Sequence, residues 1–404
     1  MPDMPRPARR RIAILCAALA AAACTATERP PEPRVRTTVD TIAGVPHVAN
    51  AGTPATWRLE PLLDVAEAGG EPFGRLTGVT GTAAGDVYAA DALARRIYHF
   101  APDGRFVATL GREGGGPGEF RSMRSLAWVG PHLATLDAGN GRVTLVGTDG
   151  APGPDVRWLA LTGTGFGLEQ TAPGEAYAPL PVFSPERRST SSQVYLRLTA
   201  AGVADTLAGR RIAAEGRATG VVCEGERGIH FFSVPDSPRP YAGRAPGRRT
   251  VLGETGHYRL AVVGPAGDTV RVVTRDGANP PFTDAEWAAT REDWAEFQER
   301  VRGTRCDPAD ITRPASKPAF AEVFFDDRAR MWVEAYDRTG FRFDVFDSTG
   351  ALVGELPAPA RDRSVTPAVL GGRLHYVALD SLDVQTLRVA RVVEPRGDAT
   401  PVPR

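Results

Sequence analysis

Residues 85–120 read GDVYAADALARRIYHFAPDGRFVATLGREGGGPGEF, three short strand patterns parted by turns. The strands are Asp86–Asp91, Arg96–Phe100 and Arg105–Gly111, each rich in β-branched or aromatic residues. Asp103-Gly104 between the last two is a hairpin turn, because glycine accepts positive φ without steric cost. So few short strands cannot bury their own faces. The stretch is therefore one unit of a larger all-β assembly.

The rest of the chain repeats it. Asp91 is followed by Arg96 and then by the turn residue Gly104; Asp137, Arg142, Gly150 and Asp337, Arg342, Gly350 keep that spacing. Val194 to Gly202 and Arg259 to Gly267 keep the second half of the unit. The first two aspartates are 46 residues apart, a blade-sized period. Units of about 75–120, 121–160, 164–210, 217–276 and 318–358 follow, with a three-strand unit at 364–394 that Trp57–Leu63 would complete. The expected fold is an all-β, six-bladed β-propeller whose ring is closed by the N-terminal strand, an arrangement that removes exposed sheet edges.

One segment departs from the β pattern. In residues 283–303, TDAEWAATREDWAEFQERVRG, Thr283 and Glu286 form a capping box, and Trp287, Trp294, Phe297 and Val301 share a helical face. A helical insertion at 277–317, between the fourth and fifth blades, is expected to pack this face on the ring.

The chain of 404 residues balances 48 basic against 48 acidic side chains, which argues against a nucleic-acid partner. Lys317 is the only lysine, so Schiff-base or P-loop lysine chemistry has almost no candidate. Arg6, Arg9, Arg10 and Arg11 precede an apolar run, Ile12–Ala23, too short to span a bilayer. It ends in three alanines and Cys24, which resembles a bacterial lipoprotein box with Cys24 as the lipidated N-terminus; the alternative is an ordinary secretory signal cut near Ala23. Thr25 after the cysteine favours the outer membrane by that resemblance. Residues 25–55, with Pro30, Pro31 and Pro33, read as a stalk in which Val39–Val48 would add one edge strand, and 395–404 as a C-terminal tail. Export permits disulfides, and once Cys16 and Cys24 are set aside only Cys223 and Cys306 remain to pair. The alternative is two unrelated buried thiols.

The segments VYAAD, RIYHF, APDGRFVATLG and REGGGPGEF together resemble the NHL-type repeat. They resemble more closely the bacterial six-bladed β-propeller lipoproteins, whose GxxGxGPGEF-like junction is matched by Gly111–Phe120. The segment at 317–333, KPAF…VFFDDRARMWV, is similar to theirs as well. The resemblance implies the fold and little about activity.

Links between blades share a face with loops joining second to third strands. By that rule Arg112–Phe120, Phe183–Ser192, Pro235–Gly256 and 277–317 crowd one face, the expected binding face around the channel mouth. Arg112, Glu113, Arg187, Arg188, Arg244, Arg248 and Arg249 would carry its charge, toward an acidic partner or glycan carboxylates. Cys223 is expected in an innermost strand beside the insertion, so that a bridge would pin the lid over the channel. The pairs Asp91–Arg96, Asp137–Arg142 and Asp337–Arg342 read as structural braces rather than cation ligands.

No catalytic set stands out. Metal candidates are confined to His132, His230 and Glu224, and Ca2+ or Zn2+ enters only in the alternative reading, a lactonase-like or NHL-lyase-like propeller. The leading expectation is a monomeric envelope module, with no cofactor, that binds a protein, peptide or glycan and touches the membrane through its lipid anchor alone.

Overall fold

The computed structural model describes residues 34–157, 167–172, 174–184, 189–199, 201–211, 220–225, 228–338 and 340–395. Cys24, Arg187, Arg188 and the segment 1–24 lie outside them. The chain divides into two compact units, Met1–Glu32 and Pro33–Arg404, and the described residues all belong to the second.

That unit is mostly β-strand with one helix. Sheet I holds Leu76–Gly81, Val87–Asp91, Arg96–Phe100 and Phe106–Leu110 in antiparallel chain order. Sheet II (Met123–Val129, His132–Asp137, Arg142–Val146, Val156–Arg157) and sheet III (Glu169–Ala172, Glu175–Ser184, Ser189–Thr199, Gly202–Arg211) repeat the plan. So do Pro240–Ala245, Arg249–Glu254, Arg259–Val263 and Thr269–Arg275 in sheet IV, and Phe320–Phe325, Met331–Asp337, Gly340–Phe346 and Leu352–Pro357 in sheet V. Sheet VI joins Ala368–Leu370, Arg373–Leu379 and Gln385–Val393 to Arg58–Val65, which pairs antiparallel with the last of these. In sheets I to V the third and fourth strands are joined at Gly104, Gly150, Gly202, Gly267 and Gly350, all with positive φ. A residue with a Cβ is strained there, which is why a turn glycine marks five of the six units; in sheet VI Asp383 takes the positive φ instead, in the turn before Gln385–Val393.

The sheets pack on one another in chain order. Ile97 and Leu110 of sheet I meet Leu133 and Val146 of sheet II. Leu136 and Leu145 of sheet II meet Ala178 and Leu198 of sheet III. Sheets IV and V share Val251, Val273, Phe320 and Val333; sheets V and VI share Trp332, Phe343, Leu374 and Trp57. Val377 and Leu387 of sheet VI then pack with Val87 and Phe100 of sheet I. The contact between sheets III and IV differs: Arg244 lies over the rings of Tyr177 and Tyr195, with its guanidinium carbon 4.5 and 5.0 Å from their centres.

Several local expectations change. Sheet IV spans Pro240–Arg275 rather than 217–276, and Pro235–Gly256 is not a loop but its first two strands. Gly220–Gly225 and Gly228–Ser233 form a hairpin outside it, whose free edge pairs with Arg305–Asp307. Its alternation matches that of a blade, and only the pairing partner distinguishes the two.

Residues 34–53 form strands rather than a stalk with a single edge strand. Arg34–Ile42 pairs with Val45–Thr53, which runs parallel to Thr269–Arg275 and widens sheet IV to six strands. The buried Asn50 side chain fixes this hairpin, donating to the carbonyls of Thr274 and Gly350 and accepting from Leu352 N–H and the Thr37 hydroxyl.

The helix, α1 (Asp284–Arg300), begins with the expected capping box at Thr283 and Glu286. Its buried Trp294 and Phe297, with Val301, pack on Val221, Cys223 and Val234 of the side hairpin, not on the six larger sheets. Cys223 and Cys306 are directly opposed in that small sheet and bonded at 2.04 Å. Cys223 is thus in the side sheet, not in an innermost blade strand.

Candidate functional site

The starts of the first strands of sheets I to V converge on one cavity of about 530 Å³, together with residues 363–366 that lead into sheet VI. A cavity of that size suits a small organic ligand. Its wall carries Arg75, Arg124, Arg239, Arg244 and Arg363 against Glu169, Glu322 and Glu334.

The acids are already engaged. Arg361, its side chain almost wholly buried, places Nη2 2.9 Å from carboxylate oxygens of both Glu322 and Glu334, and Arg363 Nε donates to Glu334 at 3.2 Å. Glu169 Oε2 accepts the Arg244 peptide N–H at 2.8 Å. Burial pushes the Glu169 carboxyl up to about 7, against the downward pull of that N–H and of the Arg244 guanidinium. Near neutral pH this acid is therefore only partly ionised.

The bases are not matched. Arg75, Arg124 and Arg239 are exposed to the cavity, with no ion pair or side-chain hydrogen bond among the described residues. Arg244 is 3 % exposed; Nη1 donates to the Thr250 hydroxyl at 2.5 Å, and Nε and Nη2 have no hydrogen-bond partner among the described residues. The wall holds a surplus of positive charge.

The repeat unit explains how these arginines are held. Asp91, fully buried at the end of a second strand, accepts the backbone N–H groups of Gly74 and Arg75 at 2.7 and 3.0 Å, and those of Leu93 and Ala94 at 3.0 Å. Asp137 accepts the N–H groups of Arg121 and Ser122, just ahead of Arg124. In sheet IV the Thr255 hydroxyl takes this role, accepting the Arg239 N–H at 2.8 Å. In each case the end of the second strand pins the start of the first.

At Asp91 and Asp137 the braces thus work through backbone amides rather than the expected arginine, while Asp337 keeps a long ion pair with Arg342. No ion pair joins Asp91 to Arg96 among the described residues. Arg142 pairs instead with Asp155 at 2.9 Å and donates to the carbonyls of Gly115, Gly116 and Glu119. Arg342 is 3.9 Å from Asp337 but 2.9 Å from Asp344.

The other expected residues are scattered. Arg112 pairs with Glu119 at 2.8 Å, and Glu113 pairs with Arg95. Arg248, 3.6 Å from Asp205, and Arg249 flank the turn between the first two strands of sheet IV, at the opposite end of the sheet stack from the links. Arg244, expected in a loop, is a buried strand residue. His132 opens the second strand of sheet II, whereas His230 and Glu224 belong to the side sheet. Among the described residues no three His, Cys, Asp or Glu side chains are grouped as metal ligands.

Arg75, Arg124 and Arg239 were not singled out from sequence. A signal exists for two of them: Arg75 and Arg239 each stand 16 residues before the capping residue that accepts their N–H, a spacing that in sheet II picks Arg121 rather than Arg124.

Repeated antiparallel sheets, packed side to side with their first strands converging on one cavity, define a β-propeller-type protein. No protein family and no curated protein matches the chain. Among solved structures it is similar to a presumed exported protein of Bacteroides fragilis, at 12% identity over 84% of this chain and 96% of that one, with a TM-score of 0.48. It is similar also to a streptogramin B lyase (10% identity, 82% and 97% covered, TM-score 0.38). A calcium-binding regucalcin from Agrobacterium tumefaciens matches at 12% identity over 82% and 95%, with a TM-score of 0.39.

Proposed function

We propose that this chain is a six-bladed β-propeller, closed through the pairing of Arg58–Val65 with Gln385–Val393, that serves as a non-catalytic binding module of the cell envelope. The observation that carries the binding role is the cavity of about 530 Å³ at the convergence of the first strands, whose wall has unpaired arginines. On this reading the cavity is the mouth of the axial channel, on the face of the blade links. The N-terminal Arg-rich and apolar run ending at Cys24 supports export and lipid anchoring, with the protein, a monomer, held at the outer membrane. Ligand capture at the mouth would present or retain a peptide, a glycan or a smaller molecule.

Native mass spectrometry of protein purified gently from its own envelope tests the role. A bound small mass is expected, and Thr366→Trp, which fills the mouth, should abolish it. A protein that carries no such mass, or carries it equally in the variant, would sink the reading. Metal analysis of the same sample checks the alternative: about one equivalent of calcium or zinc would turn the search to lyase or hydrolase chemistry.

A further inference from the structure

From the charge on the wall we infer that the cavity selects a small organic polyanion carrying two or more carboxylates. This rests on the cavity's being the binding site. Every acid on the wall already has a partner within the protein: Glu322 and Glu334 share Arg361, and Glu169 accepts the Arg244 N–H. Arg75, Arg124 and Arg239 have none among the described residues. A neutral ligand would leave these three charges to water alone.

The arrangement favours several anionic groups over one. The three arginines come from three different sheets, I, II and IV, and stand around a space far larger than a single oxyanion. Each guanidinium presents a planar fork that matches a carboxylate with two parallel hydrogen bonds. Their backbones are fixed at or near the residue by Asp91, Asp137 and Thr255, so part of the ordering cost is met before the ligand arrives. Arg244, with two unpartnered guanidinium nitrogens and only 3 % exposed, adds charge that water does not screen.

Calorimetric titration of the full protein with citrate tests the inference, with trimethyl citrate as the neutral arm and inorganic phosphate as the single-anion arm. Citrate should bind saturably below about 1 mM, weakening as salt rises. Arg75→Gln, Arg124→Gln and Arg239→Gln should each weaken it about tenfold or more while melting near the parent temperature. Arg248→Gln, at the other end of the sheets, should not. Absence of saturable citrate binding overturns the inference, as does equal loss in Arg248→Gln. Phosphate bound as tightly as citrate overturns the multivalent carboxylate class. Trimethyl citrate bound as tightly overturns the anion requirement yet leaves the cavity a binding site, which the mass measurement above judges separately.

Discussion

Asp91 shows what a single side chain contributes in this fold. It is fully buried, and its two oxygens accept four backbone N–H groups, two from its own turn and two from the start of the first strand. Replacing it with alanine takes the acceptor from four partly buried donors, a loss of roughly 2–4 kcal/mol. Urea unfolding of Asp91→Ala should show that loss; a change below about 1 kcal/mol would mean the donors find other partners. Glu169 behaves in the opposite sense. Its folded carboxyl titrates at about 7 rather than near 4.5, so the folded state binds the extra proton between those values. Stability should therefore be full below about pH 4.5 and decline as pH rises to about 7, by up to roughly 3 kcal/mol, then level off. Glu169→Gln should flatten that part of the pH profile; an unchanged slope would assign the titration to another group. The aspartate repeat was plain in the sequence, yet its partners were not. Spacing pairs Asp91 with Arg96 across the turn, whereas the buried carboxylate is met by amides 16 and 17 residues upstream, which the fold brings to the end of its strand.

At the scale of elements, the pattern of each strand was legible and its partner often was not. Turn glycines, alternation and the Thr283 capping box all follow from local chemistry, which a sequence displays directly. The hairpin at 220–233 has the same local chemistry as a blade pair. What removes it from sheet IV is Arg305–Asp307, some eighty residues onward. The hairpin at 34–53 was missed for a similar reason: its polar, exposed Arg34–Ile42 strand reads as linker, and the buried contacts of Asn50 reach residues 274, 350 and 352. The side sheet and α1 have their own small core around Trp294 and Phe297, and the Cys223–Cys306 bond joins them across 83 residues. Cys223→Ser with Cys306→Ser should cost about 2–4 kcal/mol, concentrated in this module. Limited proteolysis should then cut first within residues 220–233 and 284–307 while sheets I, II, IV, V and VI stay protected; uniform cutting throughout would show that the module is not a separate unit.

For the whole molecule, the pairing of Arg58–Val65 with Gln385–Val393 is expected to set cooperativity. Arg58–Val65 supplies an outer strand to a sheet made otherwise of residues 368–393, and Trp57 stacks edge-on with Trp332 at 6.1 Å. Deleting residues up to 65 exposes the edge of Gln385–Val393 and the core around Trp332, and should lower the melting temperature by well over 10 °C or abolish folding, given a few degrees per kcal/mol at this size. Deleting only up to residue 53 removes Asn50 and its four bonds, and should lower it by a smaller amount. Equal melting of the two truncations would show that the joined ends contribute nothing special. The blade plan was readable because it recurs; the cavity was not, because its arginines are scattered over several sheets and only the assembled fold brings them together.

The hairpin at 34–53 also determines how the molecule answers a mechanical load. Arg34 pairs with Thr53 at the open end, so tension drawn through residue 34 opens Arg34–Ile42 from its neighbour one pair at a time, like a zipper. Val45–Thr53 lies instead side by side with Thr269–Arg275 in the same direction, where several bonds must fail together. The outer strand should therefore yield first and release roughly 30 Å of chain, a built-in slack that spares the sheets behind it when residue 34 is pulled.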